Sequence, residues 1–253
     1  MGEETLVDTP GKGLGSMGVV PCGKRFPPPP RARGYVQDFV LHFTPRYNRH
    51  PSGAFTIAHY AITGNIGSGK TTVCQQFERL GVPVYYADAA AKRLMLEDAV
   101  LRAGLIAAFG LETYLPDGSL NRAWLAERAF SNDEALARLN GLVHPAVHRD
   151  AAAWRETHAA APYTLYEAAI VFELGREDYF DGVVVVAAPE PVRRTRVLAR
   201  DKTTEAAFTA RAAKQWPDEQ KEAAADYVIE NHGGRLLLPQ VLKMHRILTE
   251  RLV

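Results

Sequence analysis

The chain has 253 residues, 30 Lys and Arg against 29 Asp and Glu, and a hydrophobic fraction of 47%. That length fits one α/β domain with small insertions, and a net charge of +1 excludes a globally basic nucleic-acid binder. No apolar run reaches the roughly 18 residues of a membrane span. Two cysteines, Cys22 and Cys74, give neither a metal spacing nor a disulfide framework, which points to a reducing, cytoplasmic compartment.

Residues 1–57 hold eight of the 16 prolines, with the run Pro27 to Pro30, and eight of the 20 glycines. Apolar periodicity is nearly absent there, so little burial offsets the entropy of ordering. A disordered extension is expected, with local polyproline II at the proline run. Met1 to Leu6 is acidic and no continuous apolar core follows, which excludes a secretory signal. Lys24, Arg25, Arg31 and Arg33 suit a transit peptide, but Glu3, Glu4 and Asp8 oppose it. A functionless leader, a start placed too far upstream and a docking segment all stay open.

From residue 58 the pattern changes. The stretch 57–62 reads as a buried strand, and it enters Gly64-Asn65-Ile66-Gly67-Ser68-Gly69-Lys70-Thr71, a G-x-x-x-x-G-K-[ST] phosphate-binding loop. Thr72 to Leu80 follows as a helix with Val73, Phe77 and Leu80 on one face. The glycines let successive amides turn toward one phosphate, and the helix adds the positive end of its dipole. Lys70 supplies a full charge for the β- and γ-phosphates, and the Thr71 hydroxyl is a ligand for Mg²⁺. Asn65, Ile66, Gly67, Ser68, Gly69, Lys70, Thr71 and Thr72 are therefore the expected ATP-binding residues.

Val82 to Tyr86 reads as a second strand that ends in Ala87-Asp88 before a helix. A carboxylate at that end of an open α/β sheet sits where ligands bind, and it can accept the proton of a substrate hydroxyl. Helix capping is the other reading of Asp88, and the two are compatible.

Here the sequence resembles the dephospho-CoA kinase family. The match runs from Ile62-Thr63-Gly64 through Leu80-Gly81-Val82-Pro83-Val84-Tyr85-Tyr86-Ala87-Asp88. It continues in Phe109-Gly110, Asp117-Gly118-Ser119-Leu120-Asn121-Arg122 and Leu139-Asn140-Gly141-Leu142-Val143-His144-Pro145. Arg200-Asp201, Arg211, Gln215 and Ala225 to Asn231 complete it. The ordered set spans about residues 58–250. One departure is Ala168-Ala169-Ile170-Val171-Phe172-Glu173, where many relatives have a proline before the Phe-Glu pair; this bears on the acceptor-side loop.

The resemblance implies an α/β P-loop kinase with a five-stranded parallel sheet in the order 2-3-1-4-5 and helices on both faces. The strands expected are 57–62, 83–86, 163–167, 183–187 and 227–230. A helical acceptor-site insertion is expected at about 89–160 and a lid at about 200–222, within a domain 58–253. Leu237, Val241, Met244, Ile247, Leu248 and Leu252 form a helical core stripe at the C-terminal end.

The implied reaction is transfer of a phosphoryl group from ATP, with Mg²⁺, to the ribose 3′-hydroxyl of dephospho-CoA, giving ADP and coenzyme A. Asp88 holds the hydroxyl, Lys70 offsets charge, and Arg200 closes over the phosphates with the lid. Arg193, Arg194 and Arg196 read as surface charges. Arg122 is a candidate for the acceptor's phosphates, and its other reading is a surface ion pair. His144 is either an acceptor contact or a structural turn or cap before Pro145. Asn231 is a candidate border of the adenine. The partners expected are these two small molecules, with no nucleic acid and no membrane, in a monomer or weak homo-oligomer. The alternative is another P-loop small-molecule kinase, such as a nucleoside monophosphate kinase. A switch GTPase wants an Asn-Lys-x-Asp tetrapeptide, and none occurs.

Overall fold

The computed structural model describes residues 34–36, 39–41, 57–129 and 132–250. Five strands run parallel: β3 (Ala58–Thr63), β4 (Val84–Tyr86), β5 (Tyr163–Glu167), β6 (Gly182–Ala187) and β7 (Tyr227–Glu230). They lie in the order β4-β5-β3-β6-β7, which is the expected 2-3-1-4-5. β1 (Gly34–Val36) and β2 (Phe39–Leu41) form an antiparallel pair that joins the edge of β7, with Leu41 opposite Tyr227. This pair falls inside the segment expected to be disordered; the rest of that expectation lies outside the described residues.

The sheet is covered on both faces, and β6 shows why a parallel strand reads as continuously apolar. Val183 and Val185 point into one core, together with Leu94, Leu105 and Val147 of the helical insertion. Val184 and Val186 point into the other, with Val73 and Phe77 of α1 (Lys70–Arg79) and Val241, Met244 and Leu248 of the last helix. The expected stripe at the C-terminal end is thus core packing; its Leu252 lies outside the described residues.

The insertion between β4 and β5 holds α2 (Ala87–Glu97), α3 (Ala99–Phe109), α4 (Arg122–Ala129) and α5 (Asp133–Thr157). It starts two residues earlier than expected, because α2 follows β4 without a linker. α5 is continuous through Pro145. His144 therefore stands inside a helix and not at a turn or cap. A helix-interior proline crowds the carbonyl four residues back; that residue is Gly141, with open space around it. The stretch expected to be a lid forms the end of α6 (Glu190–Asp201), then α7 (Glu205–Ala212) and α8 (Asp218–Ala224). The last helix, α9, spans Leu237–Glu250.

Candidate active site

The sheet register builds the site. Ile62 of β3 and Tyr86 of β4 both pair with Glu167 of β5, so the three residues form one row. Gly64 and Asp88 each lie two residues beyond that row, at the same end of the sheet. Adjacent strands are about 4.8 Å apart, and β5 separates β3 from β4. The phosphate loop and Asp88 thus flank a gap about 10 Å wide at the sheet, with the Glu167 carboxylate at its floor.

The loop holds its curl through the backbone. Gly64, Gly67 and Gly69 take φ values of 148°, 81° and 91°, which L side chains avoid. The Ser68 amide donates to Asn65 O (3.0 Å). Lys70 Nζ donates to Gly64 O (2.9 Å) and so curls back over the loop. Burial pulls the Lys70 ammonium below its usual pKa; the charges of Glu167 and Asp88 pull it back up. Burial raises the Glu167 carboxyl above its usual range, Lys70 opposes this, and Asp88 adds to it. Lys70, Glu167 and Asp88 therefore share one electrostatic neighbourhood. Asp88 sits exposed in the first turn of α2, whose N-cap is Tyr86. The capping reading of Asp88 is thereby overturned: the strand passes straight into the helix and the cap position falls two residues earlier.

Other expected residues take less direct places. Thr71 and Thr72 are exposed on the first turn of α1. Asn231 Nδ2 donates to Ser68 O (2.7 Å), so this side chain grips the loop itself. Asn65 turns away, with Nδ2 donating to Trp216 O (3.0 Å) and Asp218 Oδ1 (2.7 Å). Arg200 is exposed and bonded to Asp201 (2.7 Å), so the structure does not place it over the loop. Arg122 is exposed as the first residue of α4, whose first turn is held by Asn121 Oδ1 accepting from Trp124 N (3.2 Å). His144 is half-buried, and burial, with Arg176 nearby, lowers its pKa.

Arg193 corrects the sequence reading. It is not a surface charge but is 3% exposed. Its guanidinium donates to Ala188 O (2.9 Å), Ile66 O (3.3 Å) and Asp218 Oδ2 (2.6 Å). The signal was its helical spacing: Arg193 shares the inner face of α6 with Val197, four residues on. Arg176, Gln215 and Asp218 were also given no role. Arg176 acts electrostatically on His144 and on Tyr166, which Asp88 also influences. It thus brings a cation to the Asp88 side of the gap, and no sequence pattern announced it.

A Gly-rich loop ending a central strand, a lysine folded over it and a carboxylate across a gap define a P-loop small-molecule kinase. A family model for dephospho-CoA kinase matches residues 59–236. A dephospho-CoA kinase from Salinibacter ruber is 43% identical over 174 residues, covering 68% of this chain and 87% of its own. That of Chlorobium luteolum is 36% identical over 210 residues, covering 79% and 93%. The crystal structure of TT1252 from Thermus thermophilus matches with a TM-score of 0.67 at 33% identity, over 78% of this chain and 98% of that one. The chain belongs to the dephospho-CoA kinase family. The family is one of kinases, which implies use of ATP, and its reaction makes coenzyme A from dephospho-CoA.

Proposed function

We propose that this chain performs the family's reaction in the gap between the phosphate loop and Asp88. The observation that carries the reading is the common row of Ile62, Glu167 and Tyr86, which sets Gly64 and Asp88 at equal height on either side of a buried carboxylate. The loop amides and Lys70 take the triphosphate of ATP, with Asn231 holding the loop in shape through Ser68 O. Asp88 orients the ribose 3′-hydroxyl for in-line attack and accepts its proton as the bond to the γ-phosphorus forms and the bond from that phosphorus to the bridging oxygen breaks, releasing ADP. Lys70 offsets the charge that builds on the transferring group. Positioning and electrostatics supply most of the catalysis for this chemistry.

The donors present suit Mg²⁺. Thr71 offers a hydroxyl, and Asp88 and Glu167 offer carboxylates, all hard oxygen ligands. An ion there would be held partly by substrate phosphates and water. Bound there, Mg²⁺ would neutralise phosphate charge.

Arg200 completes the donor side by releasing Asp201 and turning onto the phosphates as α6 and α7 move. Arg122, His144 and Arg176 line the approach for the anionic acceptor. No helix among the described residues is long and apolar enough to cross a membrane, and Cys74 is a free, buried thiol. A thiol that stays free suits a reducing compartment such as the cytoplasm.

The test is ADP release by the purified chain with ATP, Mg²⁺ and dephospho-CoA. Turnover with dephospho-CoA but not with AMP or shikimate is the result expected. Preference for AMP would move the chain to the nucleoside monophosphate kinases.

A further inference from the structure

The segment joining α7 to α8 lies between two loops that serve different ligands in the reading above. Gln215 uses both ends of its amide there. Its Oε1 accepts from the Ile66 amide of the phosphate loop (2.8 Å), and its Nε2 donates to Ala169 O of the loop after β5 (3.2 Å). The neighbouring residues strengthen each side. Toward the phosphate loop, Asn65 donates to Trp216 O and Asp218 Oδ1. Toward the other loop, Glu173 Oε1 accepts from Trp216 N (2.9 Å) and pairs with the buried Lys221 (2.8 Å). Lys221 Nζ also donates to Ala169 O (3.0 Å), and the Phe172 and Trp216 rings stack with centroids 5.8 Å apart.

The loop after β5 starts at Ala168, one residue past the row that ends at Asp88's strand, so it borders the acceptor's side of the gap. A shift of this loop changes the position of Ala169 O, and Gln215 passes the change to the Ile66 amide, one residue before Gly67. A side-chain amide offers an acceptor and a donor at a fixed spacing.

We infer that Gln215 is a positioning residue that couples the two sites, so that an acceptor in the gap tightens the phosphate loop on its nucleotide. The inference rests on the functional reading above. Coupling of this kind is reciprocal between the two ligands and commonly amounts to about five-fold or more in affinity.

Two variants separate the two arms. Gln215→Glu keeps an oxygen for the Ile66 amide and loses the donor to Ala169. Gln215→Met keeps the length and loses both bonds. Calorimetry on the full chain would measure binding of a non-hydrolysable ATP analogue with Mg²⁺, with and without saturating dephospho-CoA. The wild-type chain should bind the analogue about five-fold or more tightly with dephospho-CoA present. Gln215→Glu should show a ratio of about one, whatever its added negative charge does to binding of the analogue alone. Gln215→Met should bind it more weakly in both conditions. A ratio kept in Gln215→Glu overturns the coupling, whether or not Gln215→Met folds. So does a wild-type ratio of one in a chain that turns dephospho-CoA over. A wild-type chain that binds no dephospho-CoA overturns instead the functional reading beneath it.

Discussion

In the phosphate loop the geometry resides in the backbone. Gly64, Gly67 and Gly69 hold positive φ, and a Cβ on Gly67 would lie 2.6 Å from Arg193 O. In the helical insertion the geometry resides in side chains that meet from distant parts of the chain. Tyr85 donates to Asp150 (2.6 Å) 65 residues away, and Arg93 donates to both oxygens of Asp150 (2.7 Å each). The first region fixes a set of backbone donors, suited to a ligand part that never varies, such as a phosphate. The second holds a carboxylate on a helix whose bracing pair is partly exposed, with Arg93 at 46% side-chain exposure. Such a brace contributes little by itself. The backbone constraint is thus concentrated in the glycine-rich loop, and the helix that carries Asp88 is held by a weaker, partly exposed brace.

That division is open to direct attack. Asp88→Asn removes the proton acceptor while the loop stays intact. It should lower kcat by about 10²- to 10⁴-fold with nucleotide binding unchanged, read by ADP release and by calorimetry side by side. Loss of nucleotide binding in this variant would show that the two regions are not separable.

Two arginines of one helix sharpen the contrast. Arg200→Ala should lower kcat by about 10²-fold and leave stability within about 0.5 kcal/mol, because its partner Asp201 is exposed. Arg193→Met should instead cost about 3 kcal/mol of stability, since it strips the partner of Asp218 beneath the loop. Denaturant melts and initial rates on both variants decide which arginine serves structure and which serves turnover.

Gly69→Ala should cost about 1–3 kcal/mol and weaken ATP binding, since the added carbon meets Asn231 Nδ2 and φ is 91°. A melt unchanged from wild type would show that the loop adapts more than its backbone suggests.

An effect that is small per unit of pH concerns the opposite end of β3. His59 is buried, with Nδ1 2.7 Å from Thr164 Oγ1. Burial, helped by Arg155 and His148, lowers its pKa from 6.5 to about 3. Between those values the unfolded chain binds one more proton than the native one. Stability should therefore fall as pH drops through this window, by at most about 1.4 kcal/mol per pH unit. His59→Gln should flatten that slope in denaturation series at pH 4, 5 and 6. An equal slope in the variant would place the lost protonation elsewhere.

The loop, its helix, the five parallel strands and Asp88 were legible because each is a local signal. Glycine spacing dictates φ, a short continuous apolar run marks a parallel strand buried on both faces, and position after a strand dictates which end a residue reaches. The roles of Arg193, Gln215 and Asp218 were not legible, because their meaning lies in partners 127, 149 and 153 residues distant. A charged residue on an amphipathic helix reads as solvated until the packing shows which face is inward. The continuity of α5 through Pro145 was hidden for a related reason: a proline argues against a helix locally, and the tertiary packing of Val143, Ala146 and Val147 outweighs it.

Sequence alone thus established the chemistry this chain carries, since a phosphate cradle needs only residues that are neighbours along the backbone. Folding decided how far Asp88 stands from that cradle, which arginine is buried, and that one glutamine bridges both halves. Those are distances between segments far apart in the chain, and sheet register and side-chain packing set them.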